Sequence, residues 1–281
     1  MLLVSPARPS GGSYVPAQVE LNRRRYYRLE DGTQLPSVTT ILSLAISKPA
    51  LIGWAAKTVA QQAMDNLPRL IRMSRGEEDE AVKWLKGRPY AQRDEAANAG
   101  TAAHAVAEAH ILGQPYVIPE PGSPAGKTLA QFQRFLADWS PEFEATEAVV
   151  TNETYGYAGT LDALARIPAL GDHLVVLDYK TGKTGPYAEW ALQTVAYMRG
   201  EYLWLKDGTK TPMPTAQGVA VLRLRPNGYA LHVLEGDLDK AFQAFAAAAV
   251  LAGWVLDTND SDPWSIALPT PALEVTEPCP S

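Results

Sequence analysis

The sequence predicts an α/β protein whose core runs α-β-β-β-α-β, a mixed sheet flanked by helices. Three observations carry that prediction. Residues 158 to 167 alternate at strand period, residues 168 to 172 are turn chemistry, and residues 173 to 180 run through a Val-Val-Leu centre into polar residues. An apolar stripe predicts a helix over 187 to 205, just beyond the chain-breaking Thr184-Gly185-Pro186. Near 217 to 225 and 229 to 235, two further strands flank Asn227-Gly228, a dipeptide suited to a tight hairpin.

The remaining elements follow in order. Residues 5 to 16 are rich in Pro, Gly and Ser and read as flexible. A short hairpin is expected around Asp31-Gly32, then helices near 37 to 46 and 49 to 66, with Ser37 and Ser47 as N-caps and Pro49 in the first turn of the second. Further helix is expected over 77 to 86, 94 to 112 and 125 to 139, and these N-terminal helices are expected to cap the sheet. A strand over 143 to 154 opens the β-β-β run. The Ala-rich stretch over 237 to 256 predicts a last helix, whose apolar face packs on the core or forms an oligomer interface. From Asp260 onward Pro263, Pro269, Pro271, Pro278 and Pro280 predict a disordered or extended tail. The chain thus divides into an N-terminal hairpin and helical cap (1 to 90), a core (91 to 258) and a Pro-rich acidic tail (259 to 281). Trp54, Trp84, Trp139 and Trp254 read as packing residues.

Composition narrows the class. With 281 residues, 46% of them hydrophobic and 20% charged, the chain can bury a substantial core. No apolar run reads as a membrane span, and the start lacks a basic segment before a long apolar one, so a cytoplasmic protein without a membrane partner is expected. The single cysteine, Cys279, excludes a disulfide framework and a Cys₄ iron–sulfur cluster within this chain. The net charge is −6, and residues 236 to 281, with seven acids and one base, account for a charge of that size. The rest is balanced. Within it, Arg23, Arg24, Arg25 and Arg28 interleave with Tyr26 and Tyr27, which reads either as phosphate contacts and stacking surfaces for a nucleic acid or as a solvated hairpin strand. Arg69, Arg72, Arg75, Lys83, Lys86 and Arg88 form a second basic group, diluted by Glu77-Glu78-Asp79-Glu80.

The chemistry concentrates between Gly159 and Lys180. Period-2 geometry points Asp178 and Lys180 to one face of their strand, and an antiparallel neighbour brings Asp162 to the same spot. Hard cations such as Mg²⁺ and Mn²⁺ prefer carboxylate, carbonyl and water oxygens, so two aspartates and the main-chain carbonyl of Tyr179 suit one, with positions left for water and a phosphate. Lys180 beside them is suited to orient the attacking water or stabilise charge on phosphoryl oxygens. The alternative reading of each aspartate is a turn cap or a solvated side chain. Upstream, His104 and Glu108 share one helix face, and a histidine there can complete a metal shell. Downstream, Trp190, Gln193 and Tyr197 line one stripe. Gln193 and Tyr197 are placed to hold a nucleotide or Lys180, and Trp190 is placed to touch DNA. Glu108, Glu147 and Glu153 read as further ligands or as solvated acids, and Lys183 as a phosphate contact or a loop residue.

The order Gly100-Thr101-x-x-His104, Gly159-x-x-Asp162, Asp178-Tyr179-Lys180-Thr181-Gly182-Lys183 and Gln193-x-x-x-Tyr197 resembles the RecB-type branch of the PD-(D/E)XK nuclease superfamily. The likeness covers roughly residues 95 to 205, and 35 to 42 with Trp54 also resemble the start of phage-encoded members. It implies a restriction-endonuclease-like core and a metal-dependent DNA exonuclease acting at duplex ends or on single strands, in phage recombination, replication or repair. It implies one or two Mg²⁺ or Mn²⁺ ions held by Asp162, Asp178 and His104, with Lys180 as catalytic lysine and Gln193 and Tyr197 as its support. A recombination or replication protein is an implied partner. A structure-specific endonuclease on the same site, or a non-catalytic DNA-binding protein of the same fold, are the alternatives. An imidazole ligand favours Mn²⁺ over an all-oxygen site. Cleavage with Mn²⁺ is therefore expected to equal or exceed that with Mg²⁺ in parallel assays, and strict Mg²⁺ preference would count against His104 as a ligand.

Overall fold

The computed structural model describes residues 14 to 182 and 184 to 260, without the side chains of 96 to 99, 259 and 260. The start of the chain, the Pro-rich tail with Cys279, and Lys183 lie outside the described residues. Strands β1 (Ala17–Leu21), β2 (Arg24–Arg28) and β3 (Gln34–Pro36) form an antiparallel sheet in that order. The Asp31-Gly32 turn joins β2 to β3, with Asp31 Oδ1 accepting from the Thr33 N–H. A second turn at Asn22 and Arg23, both left-handed, joins β1 to β2 and makes the hairpin a three-stranded unit.

Helix α1 (Val38–Ala45) is capped as expected by Ser37, whose Oγ accepts from the Thr40 N–H at 3.0 Å. Helix α2 (Pro49–Asp65) instead follows Lys48 with no side-chain cap, and α3 (Leu67–Met73) succeeds it. The two helices expected over 77 to 86 and 94 to 112 are one, the 34-residue α4 (Glu78–Ile111). Gly87 and Pro89 lie between the two expected helices, but a helical Pro costs one hydrogen bond and is absorbed as a kink when good helix formers flank it. Helix α4 therefore runs across residues 90 and 91, where the sequence reading divides cap from core. Helix α5 (Pro124–Trp139) is capped by Ser123.

The main sheet is built from β4 (Glu142–Asn152), β5 (Tyr157–Ile167) and β6 (His173–Lys180), then, after α6 (Ala188–Met198), from β7 (Tyr202–Trp204), β8 (Lys210–Pro212), β9 (Gly218–Arg225) and β10 (Gly228–Val233). Its order is β10-β9-β6-β5-β4-β7-β8, with β6 and β9 parallel and every other pair antiparallel. Helix α7 (Leu238–Asp260) closes the described chain. The helix expected over 187 to 205 is thus wrong beyond Met198. At Gly200 a Cβ would lie 2.0 Å from Val150 Cγ1, so the chain passes against β4 there, and Tyr202, Leu203 and Trp204 join its edge.

Helices α1, α6 and α7 cover one face of the sheet around Leu164, Val176, Val195 and Phe245. Ala107 of α4 and Phe132 and Phe135 of α5 cover the other, against Leu177, Tyr179 and Leu222. The small sheet seats Tyr27 and Leu35 on Val149, Ala158 and Trp204. Helices α1 and α5 therefore belong to the core layers and not to a cap. Only α2 and α3, which bury no residue, and the first half of α4 stand apart. Two of the tryptophans read as packing residues are exposed, Trp54 and Trp254. By length and composition α7 matches a membrane span (Leu238–Thr258, mean hydropathy 1.4), contrary to the sequence expectation that none exists, yet its Phe245 and Ala252 are fully buried in the core.

Phe245→Ala empties a site where the ring centroid lies 4.9 Å from that of Tyr157. A loss of about 3–5 kcal/mol is expected in urea unfolding. Trp254→Ala, at a position 63% exposed, is expected to change stability by no more than about 0.5 kcal/mol.

Candidate functional site

The site begins where two strands part. The β5–β6 ladder ends at Ala163 opposite Leu177, and the same register brings Asp162 opposite Asp178 at the first unpaired step. There a side chain replaces the ladder: the Tyr179 N–H donates to Asp162 Oδ2 at 2.5 Å. Beyond the fork β5 stays paired with β4, while Ser37 bridges to Ala158 on its other edge. Asp162 and Asp178 are both buried, at 8% and 2% exposure. Two carboxylates in apolar surroundings need compensating charge or hydrogen bonds.

Part of that compensation comes from β6 and α6. Lys180 Nζ lies 2.6 Å from Asp178 Oδ2 and donates to Gln193 Oε1 at 3.1 Å. Gln193 Nε2 in turn donates to Asp178 Oδ1 and to the Tyr197 hydroxyl, each at 3.1 Å. Gln193 and Tyr197 sit one turn apart on α6, so one helix face serves the whole set. Gly159 permits it: a Cβ there would lie 2.4 Å from Tyr197 Cε1. On the opposite side Gly100 lets α4 approach the loop after β6, since its Cβ would meet Thr181 Oγ1 at 3.3 Å.

Helix α4 supplies His104. Its Nε2–H donates to the Tyr179 carbonyl at 3.0 Å, and its Nδ1 lies 3.2 Å from Asp162 Oδ1 and 3.9 Å from Glu147 Oε1. A carbonyl and an ionised carboxylate only accept, so this geometry suits the doubly protonated ring. Burial pulls its pKa down, but the hydrogen bond and charge of Asp162, with the charges of Asp178 and Glu147, outweigh that and push it up to about 9. Glu147 enters from β4 between Thr146, paired with Ala163, and Ala148, paired with Leu161, at the step facing Asp162 where the ladder has no pair, and with a left-handed backbone (φ 47°) rare for a glutamate and costing about 1–3 kcal/mol. Burial and the Asp162 charge push its carboxyl up to about 7. Burial likewise raises Asp178, against the pull of Lys180.

This donor set fits a divalent cation. Ligand atoms of His104, Glu147 and Asp162 all lie within 4.8 Å of one another. Among the described residues Asp178 Oδ2 is buried without an aligned hydrogen bond, with Lys180 Nζ 2.6 Å away. Three acids meet one lysine and one imidazolium, and carboxylates with an imidazole suit Mn²⁺ or Mg²⁺. The Tyr179 carbonyl faces the same cluster, engaged by His104.

The other candidates lie elsewhere. Glu108 pairs with Lys206, and Glu153 with Lys210 at 3.2 Å. Trp190, read as a DNA contact, is 8% exposed and packs on Gly185, where a Cβ would lie 2.2 Å from its ring. Tyr27 is buried and not a stacking surface, its hydroxyl 2.8 Å from Thr160 Oγ1, two residues before Asp162. Arg23, Arg25 and Arg28 of that segment are exposed. The chain matches no known family model and no curated protein.

All three shifted groups respond to pH in one direction. A raised imidazole contributes stability that is full below pH 6.5 and lost as pH rises through about 9. A raised carboxyl costs stability as pH climbs from 4.5 through about 7, and Asp178 acts likewise. In EDTA the melting temperature is therefore expected to fall steadily between those limits, and added Mn²⁺ to restore most at the alkaline end. A flat or rising profile in calorimetry would contradict the protonated cluster.

Proposed function

We propose that the chain is a metal-dependent deoxyribonuclease, an exonuclease that hydrolyses phosphodiester bonds at DNA ends in recombination, replication or repair. Its site is read as that of a PD-(D/E)XK enzyme of the RecB-like branch on a restriction-endonuclease-like core. One observation carries this reading: four motifs far apart in the chain, containing His104, Asp162, Asp178-x-Lys180 and Gln193-x-x-x-Tyr197, meet at a single strand fork.

Asp162, Asp178 and Glu147, joined by His104 once its ring gives up a proton, would hold the cation, which when bound supplies Lewis-acid polarisation of a phosphoryl oxygen and lowers the pKa of a water. Lys180 offers a fixed ammonium at the same face. It orients the attacking water or stabilises negative charge as the phosphoryl oxygens gain it. Gln193 holds Lys180 and Asp178 in one geometry, and the Tyr197 hydroxyl accepts from the same Nε2 that bonds Asp178, which fixes the amide's orientation. Burial of both aspartates keeps bulk water from screening these charges. Glu147 is added here to the ligand set on its distance to His104 and its place opposite Asp162.

The test is cleavage of end-labelled linear duplex, single-stranded and closed circular DNA with Mn²⁺, Mg²⁺ or EDTA. Metal-dependent loss of linear DNA is expected, with circles spared. Asp178→Ala and Lys180→Ala are each expected to lower the rate about a hundredfold or more. Cut circles would replace the exonuclease with an endonuclease, and folded protein inert on every substrate would leave a DNA-binding protein.

A further inference from the structure

Helix α4 does more than deliver His104. At 100° per residue, Lys83, Lys86, Tyr90 and Arg93 fall on the stripe that continues through Thr101 to His104, a stripe that Asp79 and Asp94 share. All four are exposed. The opposite side of this half of α4 is occupied: Thr58 of α2 meets Gln92, and Arg69 of α3 stacks over Trp84 at 4.5 Å. The stripe thus faces away from α2 and α3 and leads along the same helix face into the cluster.

Resting on the nuclease reading, we propose that this stripe is a track for a single strand of the DNA substrate, running from the N-terminal half of α4 to the fork. Charge complementarity selects the occupant. Lys83, Lys86 and Arg93 present three cations along one helix against the two acids Asp79 and Asp94, and the cluster at its end would take a phosphate once a cation is bound. The partners these cations now have are exchangeable. Lys83 lies 3.5 Å from Glu80 and Arg93 2.8 Å from Asp94, in exposed pairs that solvent screens and that a phosphate can replace. Tyr90, with Arg93 over its ring at 5.5 Å, offers a face on which any base can stack. No base edge is read, so binding is independent of sequence. From Lys83 to His104 the helix rises roughly 30 Å at 1.5 Å per residue, which spans on the order of nine nucleotides at 3.4 Å each.

The test measures binding by fluorescence anisotropy in EDTA, where cleavage is absent, with oligothymidylates of about four and about twenty nucleotides. The full chain is compared with the triple variant Lys83→Ala/Lys86→Ala/Arg93→Ala and with the charge-conserving Lys83→Arg/Lys86→Arg/Arg93→Lys. The alanine variant is expected to bind the long strand at least about tenfold more weakly, with a log–log salt slope shallower by about two, and the short strand as wild type does. The charge-conserving variant is expected to keep both affinity and slope. A structural role would leave the slope unmoved, and circular dichroism melts report folding separately. Wild-type affinity and slope in the alanine variant would overturn the track, as would equal loss on both lengths or a loss confined to duplex DNA. If wild-type protein binds as expected yet cleaves nothing with Mn²⁺, the track stands and the nuclease reading falls. If it binds no DNA, both fall.

Discussion

Everything at the candidate site depends on the parting of β5 and β6. A ladder that ends inside a core leaves main-chain donors without partners, and such groups cost free energy comparable to a lost hydrogen bond. Here Asp162 takes the Tyr179 N–H, which fixes that carboxylate and brings it into line with Asp178. The second carboxylate then needs its own compensation, and Lys180 and Gln193 supply it. His104 closes the set by bonding to the carbonyl of the same Tyr179 and to the same Asp162. One broken ladder thus organises four segments. Without a cation, protons held on His104 and Glu147 do part of the neutralising.

The parts of this arrangement that rest on short-range rules were legible in the sequence. Alternation over β5 and β6 sets Asp178 and Lys180 on one face, and the turn between the strands sets Asp162 opposite. The glycines of the motifs have a physical reason too, since Tyr197 comes too close to Gly159 for a larger residue and Thr181 leaves only a tight fit at Gly100. What failed was governed by tertiary contact. Tyr-Leu-Trp at 202 to 204 continues a helical pattern in sequence but gains strand pairing with β4. Trp190 looked like a surface aromatic because the packing of Gly185 on its ring has no local signature. The helices expected over 77 to 86 and 94 to 112 are one because the good helix formers around Pro89 carry the helix through it. Glu147 was left open between ligand and solvent, and only the β4–β5 register with its left-handed backbone brings it to the cluster.

The length of α4 sets the molecule's second theme. Its C-terminal half packs on the sheet through Ala107, while its N-terminal half carries α2 and α3, neither of which buries a residue. A helix resists bending better than a loop, so a contact made far out on α4 bears on His104 without an intervening hinge, apart from the kink that Pro89 favours. Apolar side chains such as Ile52, Met64 and Val82 remain exposed on these outer helices. This region therefore sits at the low end of local stability, where opening costs least.

The ties that assemble the cluster span long stretches of chain, with 75 residues between His104 and Tyr179 and 17 between Asp162 and Tyr179. Contacts this distant in sequence are among the last to be satisfied as a chain collapses. A nascent polypeptide that has left the ribosome only as far as Lys180 still lacks Gln193, Tyr197 and the parallel neighbour of β6. The acids of the unfinished site are then scattered and solvated, with ordinary affinity for any ion. The cluster is completed only by the last third of the chain, so a fragment that stops at Lys180 lacks the residues that enclose it.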